Sequence, residues 1–353
     1  MIPGTHIDTY ETPVAVVDLD RLEANIARLQ AYLDRYRIAS FPHTKTHKIP
    51  QITHMQLTAG AAGICCQKLG EAEVMADSGC TRIVIPYNIL GTARLARLAA
   101  LMRRAEISVS ADSSEVVVGL ASAAQQAGST LAVFVECDTG GARCGVQTPT
   151  QAAALARQIA ATHGLAFAGL MTYPLGPALD PFVAETRALL APDGISIERV
   201  SAGSTAGMWH AHEHACVTEY RAGMYIYGDR GTLAKGAIAR EDCALHVLAT
   251  VVSRPTAARA ILDAGSKALS SDLSGQLGHG LILEYPDAVI EKLSEEHAHV
   301  DLRQCTGAPQ IGERVTILPN HCCPVSNLFN EIVGVRGDLV EVIWPVAARG
   351  RLT

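Results

Sequence analysis

Short apolar runs recur along the first two thirds of the chain, separated by Ala-rich stretches whose apolar positions follow helical spacing. Pro13 to Leu19 comes first. Ala15, Val17 and Leu19 share one face and Val14, Val16 and Asp18 the other, both largely apolar, as in a strand buried on both sides. Asp20 is placed to cap the next helix, where Leu22, Ile26, Leu29 and Leu33 line one face. Pro50 suits the first turn of a second helix, which Gly60 ends. Eight further runs read as strands: Ile38–Phe41, Ala62–Cys66, Arg82–Pro86, Glu106–Ser110, Leu131–Cys137, Leu165–Met171, Ile197–Ser201 and Ala222–Tyr227. Segments such as Thr148–His163 between them read as helices. Strands alternating with helices predict a parallel sheet, and eight near-equal units over about 200 residues predict an α/β fold of the (β/α)8 barrel type rather than an open doubly wound sheet.

The rhythm changes after about Leu233. Leu245–Val252, Arg259–Leu262, Leu281–Glu284, Arg314–Leu318, Glu331–Val335 and Leu339–Trp344 predict strands joined by Gly and Pro turns, with no long helix. The expected organisation is a barrel domain over residues 1–235 and a mostly β C-terminal domain over residues 236–353, with residues 1–19 joining either.

Composition narrows the functional classes. Of 353 residues, 48% are hydrophobic and 18% charged, which suits an enzyme with a large core. A net charge of −6 argues against nucleic acid or an anionic membrane as the main partner. No run approaches the roughly 18 apolar residues of a membrane span. Ten scattered cysteines without a visible export signal predict reduced thiols and a cytoplasmic setting.

The octapeptide Phe41-Pro42-His43-Thr44-Lys45-Thr46-His47-Lys48 carries the first chemistry. If the run continues as a strand, His43, Lys45 and His47 share a face. A partly desolvated lysine among other cations deprotonates more readily, and its amine then forms Schiff bases with carbonyl substrates or pyridoxal phosphate. Alone, the octapeptide reads better as a solvated basic loop. Its place after a barrel strand changes that, because barrel active sites form at the C-terminal strand ends. Gln67, Tyr87, Asn88, Arg143 and Tyr173 follow later strands, Gly203-Ser204-Thr205 follows the seventh, and Gly223-Met224-Tyr225 lies in the eighth. Gly203-Ser204-Thr205 is a helix cap or, given its position, a phosphate cradle. Arg143 binds a carboxylate or cofactor, or pairs with Asp138 within its loop. Tyr173 faces a cofactor ring or is a rim aromatic. His321 and Cys323 lie two apart and either ligate a divalent metal or form a turn with a buried cysteine pair. His210, His212 and His214 lie in a helical stretch where a spacing of two scatters side chains, and read as structural or solvated.

The motifs His43–Lys48, Cys65-Cys66-Gln67-Lys68-Leu69-Gly70-Glu71-Ala72-Glu73, Val135–Val146, Asp263–Lys267, Leu293–His297 and the His321/Cys323 pair together resemble the D-threonine aldolase and D-serine dehydratase family. These are fold-type III pyridoxal-phosphate enzymes, with the barrel of alanine racemase and a β domain. The resemblance implies that Lys45 holds the cofactor as a Schiff base. Gly203, Ser204, Thr205, Gly223 and Tyr225 would surround its phosphate, and Tyr173 would lie near the pyridine nitrogen. Gln67 and Arg143 join Lys45 as expected catalytic residues. His321 and Cys323 would bind a divalent metal, zinc or manganese. The implied activity is a lyase acting on a small β-hydroxy-D-amino acid, as a homodimer. The expected reaction is retro-aldol cleavage to glycine and an aldehyde, to which the Gln67 motif points. The alternative is dehydration of D-serine or 3-hydroxy-D-aspartate to a 2-oxo acid and ammonia, to which Cys323 points, since the aldolases tend to carry aspartate there. A racemase is a more distant alternative.

Overall fold

A computed structural model describes residues 3–353, which form two compact units. One comprises the chain up to Arg28, Thr46–Gln51 and Met224–Gly350; the other comprises Leu29–Lys45, Ile52–Gly223 and Arg351–Thr353. The first strand, β1 (Val14–Asp18), lies in the former, and its first four residues are buried, as the unbroken apolar run requires. The helix after it spans Leu19–Arg35. Asp18, not Asp20, caps it, with Oδ1 accepting the Arg21 N–H at 3.0 Å. The helix starts two residues earlier than expected, which leaves Asp20 inside the first turn.

Leu29–Lys45 and Ile52–Gly223 build the barrel. Its strands are β2 (Ala39–Ser40), β3 (Ile64–Cys65), β4 (Arg82–Ile85), β5 (Glu106–Ala111), β6 (Leu131–Cys137), β7 (Leu165–Thr172), β8 (Val200–Gly203) and β9 (Glu219–Arg221). All pair in parallel, in the order β2-β9-β8-β7-β6-β5-β4-β3. A bridge between His43 and Cys65 joins the two ends of this row, with Cys65 N–H donating to the Pro42 carbonyl at 2.9 Å. The expected (β/α)8 ring is therefore present. Phe41, Val84, Phe134 and Met171 meet in one core cluster drawn from around the ring. Burying each such side chain stabilises the barrel by roughly 1.5–3 kcal/mol.

Two expectations fail in this unit. The stretch from Phe41 to Lys48 does not continue as a strand: Thr44–Thr46 is a single 3-10 turn, and Lys48 adopts a positive φ of 58°. Strand alternation therefore does not set the direction of Lys45. The eighth strand is Glu219–Arg221, not Ala222–Tyr227, whose centre Met224–Ile226 is a 3-10 turn. The apolar stretch is buried by packing rather than by a ladder. The polar strand is buried because its charges have partners: Glu219 pairs with Arg199, and Arg221 donates to the Ser201 hydroxyl and the Thr172 carbonyl.

The other unit is a sheet built from β1 and β10 (Leu245–Thr256), β11 (Arg259–Leu262), β12 (Leu281–Ile282), β13 (Val289–Leu293), β14 (Ala298–Asp301), β15 (Arg314–Leu318), β16 (Glu331–Arg336) and β17 (Leu339–Pro345). The order is β13-β14-β11-β10-β1-β16-β17, with β15 pairing β10 and β12 pairing β15. β1 lies between an antiparallel and a parallel neighbour. The β13–β14 hairpin was not expected. Its run Val289-Ile290-Glu291-Lys292-Leu293 is interrupted by charge, and its ladder shifts register after Ile290. A short helix, Cys322–Leu328, follows β15. Among the described residues, no helix is long and apolar enough to cross a membrane.

Candidate active site

In the barrel unit, residues following different strands meet at one end. Gln67, after β3, is the hub. Its amide oxygen accepts from Lys45 Nζ at 3.4 Å and lies 3.1 Å from His43 Nε2, while its amide nitrogen donates to the Pro86 carbonyl at 3.3 Å. The Gln67 N–H is itself held by Glu71 at 2.7 Å. His43 is buried, and burial together with the Lys45 and Arg221 charges pushes its imidazole well below the usual range, so it is neutral. Lys45 is thus aligned by uncharged neighbours.

Arg221, at the end of β9, was not singled out from the sequence. It is buried, donates to Ser201 Oγ at 2.5 Å and to the Thr172 carbonyl at 2.9 Å, and puts a fixed cation beneath this end of the ring. Glu136, in β6, accepts from Ser110 Oγ at 2.9 Å, and burial raises its pKa despite the nearby Arg221 and Arg143 charges. Arg143 pairs with Glu136 at 3.9 Å and lies 4.9 Å from the centre of the Tyr173 ring. The alternative pairing of Arg143 with Asp138 is not formed. Asp138 instead accepts from the backbone N–H groups of Gly140, Gly141 and Ala142, which shapes the loop and lowers its own pKa. Arg143 and Tyr173 are both half-exposed. Tyr87 and Asn88 stand apart: Lys68 sits over the Tyr87 ring, and Asn88 donates to Asp112.

Gly203-Ser204-Thr205 has the features of an anion cradle. Ser204 adopts φ 137°, rare for a residue with a side chain and costing of order 1–3 kcal/mol. It is held there by Tyr220, whose hydroxyl donates to the Ser204 carbonyl at 2.7 Å, and by Ala206 N–H, which donates to Ser204 Oγ at 3.1 Å. Thr205 Oγ1 is buried with no hydrogen-bond partner, a cost that a bound acceptor would remove. At Gly203 an added Cβ would lie 3.1 Å from the Arg221 carbonyl, a tight contact that the backbone would have to yield to accommodate. Gly223 follows β9 rather than lying in it, while Tyr225 is buried in the other unit. A lysine amine, an anion cradle with an unmet hydroxyl and a buried arginine together suit an anionic aldehyde cofactor such as pyridoxal phosphate.

The sheet unit carries the second cluster. His321 precedes the Cys322–Leu328 helix, and its Nδ1 hydrogen-bonds Asp272 at 2.6 Å. Burial opposes charge on His321, but contacts with Cys323 and Asp272 outweigh it and raise the imidazole to about 9. The Cys323 thiol donates to Thr46 Oγ1 at 3.4 Å. Hydrogen bonds from Cys322 and the charge of His321 pull the Cys323 pKa well down, against its burial. The turn is braced on both sides. Asp229 accepts the Cys322 N–H at 3.0 Å, and Asn320 donates to the Gly278 carbonyl at 2.7 Å. An imidazole and an easily ionised thiol in contact form a donor set that fits a borderline-soft divalent metal. Among the described residues, no three His, Cys, Asp or Glu side chains are arranged to hold one ion. A metal here would take two protein ligands, leaving positions for water or substrate. His210, His212 and His214 instead contact Glu213, Tyr32 and Asp180, as expected for structural residues.

Comparison with known proteins agrees with this architecture. The family profile "Alanine racemase, N-terminal domain" matches residues 17–231, and "Putative serine dehydratase domain" matches residues 244–335. The chain is 36% identical to a D-threonine aldolase from an Arthrobacter species, across 99% of this chain and 95% of that protein. It is 32% identical to D-threo-3-hydroxyaspartate dehydratase from Delftia sp., across 95% and 97% of the two chains. The crystal structure of D-threonine aldolase from Filomicrobium marinum superposes with a TM-score of 0.93 at 32% identity, covering 100% of both chains. A cysteine-to-alanine variant of D-threo-3-hydroxyaspartate dehydratase, solved in its metal-free form, superposes with a TM-score of 0.85 at 30% identity, covering 97% of this chain and 98% of that one. The chain belongs to the alanine-racemase-like family of pyridoxal-phosphate enzymes, in the branch of the D-threonine aldolases and D-serine dehydratases.

Proposed function

We propose that this protein is a pyridoxal-phosphate- and divalent-metal-dependent lyase that cleaves β-hydroxy-D-amino acids, most simply D-threonine, to glycine and an aldehyde. The observation that carries this reading is the setting of Lys45, an amine just beyond a barrel strand that rests on the neutral amide of Gln67. Pyridoxal phosphate, when bound, supplies the electron sink for bond cleavage at Cα.

This chain's residues do the rest. Lys45 would hold the cofactor, with Gln67 keeping its Nζ in place, and removal of the Cα proton by Lys45 belongs to the dehydration route. Gly203, Ser204 and Thr205 would bind the phosphate, with Gly223 as a further contact, and the neutral His43 would line the site. Arg221 balances the cofactor's negative charge. Arg143, stacked on Tyr173 and tethered by Glu136, receives the substrate carboxylate or the cofactor. His321 and Cys323 hold zinc or manganese, whose chemistry is to polarise a hydroxyl oxygen.

One observation favours a second reading, dehydration to a 2-oxo acid and ammonia. The second donor is a thiol, and two solved variants of D-threo-3-hydroxyaspartate dehydratase alter a histidine and a cysteine two positions apart, the cysteine variant being in a metal-free form. We also propose a homodimer in the cytoplasm, a setting in keeping with ten free cysteines.

The test is product identification. The holoenzyme with added Zn²⁺ or Mn²⁺ is incubated with D-threonine, D-serine and 3-hydroxy-D-aspartate and their L-enantiomers. Glycine plus aldehyde from the D-substrates supports the aldolase reading, and 2-oxo acid plus ammonia the dehydratase. Racemised amino acid with neither product overturns both.

A further inference from the structure

We propose that Asp272 is a positioning residue: it fixes the imidazole of His321 for metal and thereby sets the metal affinity of the His321–Cys323 pair. This rests on the reading that the pair binds a divalent ion.

The argument starts from the two nitrogens of one ring. His321 Nδ1 lies 2.6 Å from Asp272 Oδ2. A carboxylate only accepts, so the proton of that bond belongs to Nδ1. That selects the tautomer with the lone pair on Nε2, on the other side of the ring. With Nδ1 engaged, Nε2 is the nitrogen left for the contact with Cys323. Nε2 is then the nitrogen that would bind a metal together with the Cys323 sulfur, two residues further along the same turn.

Asp272 is itself held. Its Oδ1 accepts the Ser274 N–H at 2.9 Å, and its own N–H donates to Ser270 Oγ at 3.1 Å. Ser270 and Ser274 have φ of 64° and 48°, so the loop keeps two non-glycine residues in the left-handed region around this carboxylate. The carboxylate is therefore aimed at His321 by local geometry. It also lies behind the ring rather than beside the sulfur, consistent with no three-residue metal cluster among the described residues. A carboxylate behind a metal-bound imidazole orients it and raises its basicity, and removing such a partner typically lowers metal affinity about 10–100-fold.

The test measures affinity for Zn²⁺ and Mn²⁺ by competition with a chromophoric chelator, on metal-stripped protein with its cofactor bound. Asp272→Ala is expected to weaken binding about 10–100-fold. Asp272→Asn, which keeps shape and an accepting oxygen but loses the charge, is expected to fall between Ala and the parent, and Asp272→Glu to recover part of the loss. Turnover of the Ala variant should return towards the parent value at saturating metal, which a merely misfolded loop would not do. The cofactor's visible absorbance should not change. Affinity within two-fold of the parent for both Ala and Asn variants overturns the role of Asp272 and leaves the metal site standing. A parent protein that binds neither ion overturns the metal site and this inference together.

Discussion

In the barrel unit, Lys45, Gln67, Glu136, Thr172 and Arg221 come from the ends of five strands, and each hydrogen-bonds a residue in or just after another strand. In the sheet unit, His321 and Cys323 come from one turn, and the carboxylate behind His321 belongs to a half-exposed loop. The first arrangement is tied to several strands of one packed core, so a change at one group is felt by the others. The second is local, and a few hydrogen bonds set its geometry. The same chain therefore keeps its proposed cofactor chemistry in a part that resists substitution, and its proposed metal chemistry in a part that adjusts. Changes in the barrel network should act through loss of the cofactor or of catalysis. Changes around the turn should act through affinity and choice of metal.

The strongest challenge to this contrast is Lys45→Ala. Turnover should fall by roughly three orders of magnitude or more, and the yellow colour of the bound cofactor should shift or vanish. Borohydride reduction and peptide mapping of the parent should label Lys45; a label on Lys48 or Lys267 would reassign the site.

Next in size is the metal. Chelation, or His321→Ala, should lower turnover about a hundred-fold, the order expected for several kcal/mol of Lewis-acid assistance. The visible spectrum should be unchanged, because Lys45 and the Gly203–Thr205 loop lie in the barrel unit. Full activity after verified metal removal would end the metal role and revive the racemase reading.

Gly203→Val should weaken pyridoxal-phosphate affinity about ten-fold, since its Cβ would lie 3.1 Å from the backbone carbonyl of Arg221. Cofactor titration monitored by absorbance would show this, and unchanged affinity would put the phosphate elsewhere.

The smallest effect should come from Cys323→Asp. A carboxylate is also a competent ligand, so metal should still bind, with preference moved a few-fold towards manganese. Product ratios in the same variant would show whether the ligand biases cleavage against dehydration. An unaltered metal preference and product ratio would make ligand identity irrelevant.

What the sequence disclosed follows the same division. Runs such as Leu131–Cys137 are legible because buried parallel strands are apolar on both faces. Lys45, Gln67 and the Gly203 loop are legible because barrel chemistry sits after strands. β9 was misplaced because Glu219-Tyr220-Arg221 looks like surface, and only partners far away in sequence, Arg199 and Ser201, make its burial tolerable. Arg221 was lost with it. A charged residue flanked by Tyr220 and Ala222 and followed by glycine was the one local hint. Asp272 carried no signal at all, because its meaning depends on a histidine 49 residues further on. The alternation argument for Lys45 failed because a 3-10 turn replaces the expected strand.

The ring of strands is uneven. β2 and β3, which meet at the His43–Cys65 bridge, have two residues each, whereas β6 and β7 have seven and eight. Few cross-strand bonds hold that join, so local opening there should cost the least of anywhere in the barrel, and its amides should exchange with deuterated water first. A cofactor tied to Lys45 beyond β2 and to the loop beyond β8 would span β9 between them and act as a rivet holding β2, on one side of that join, to the rest of the ring. Removing pyridoxal phosphate should then speed amide exchange around Ser40, Cys65 and Tyr220 and leave β6 and β7 as slow as before.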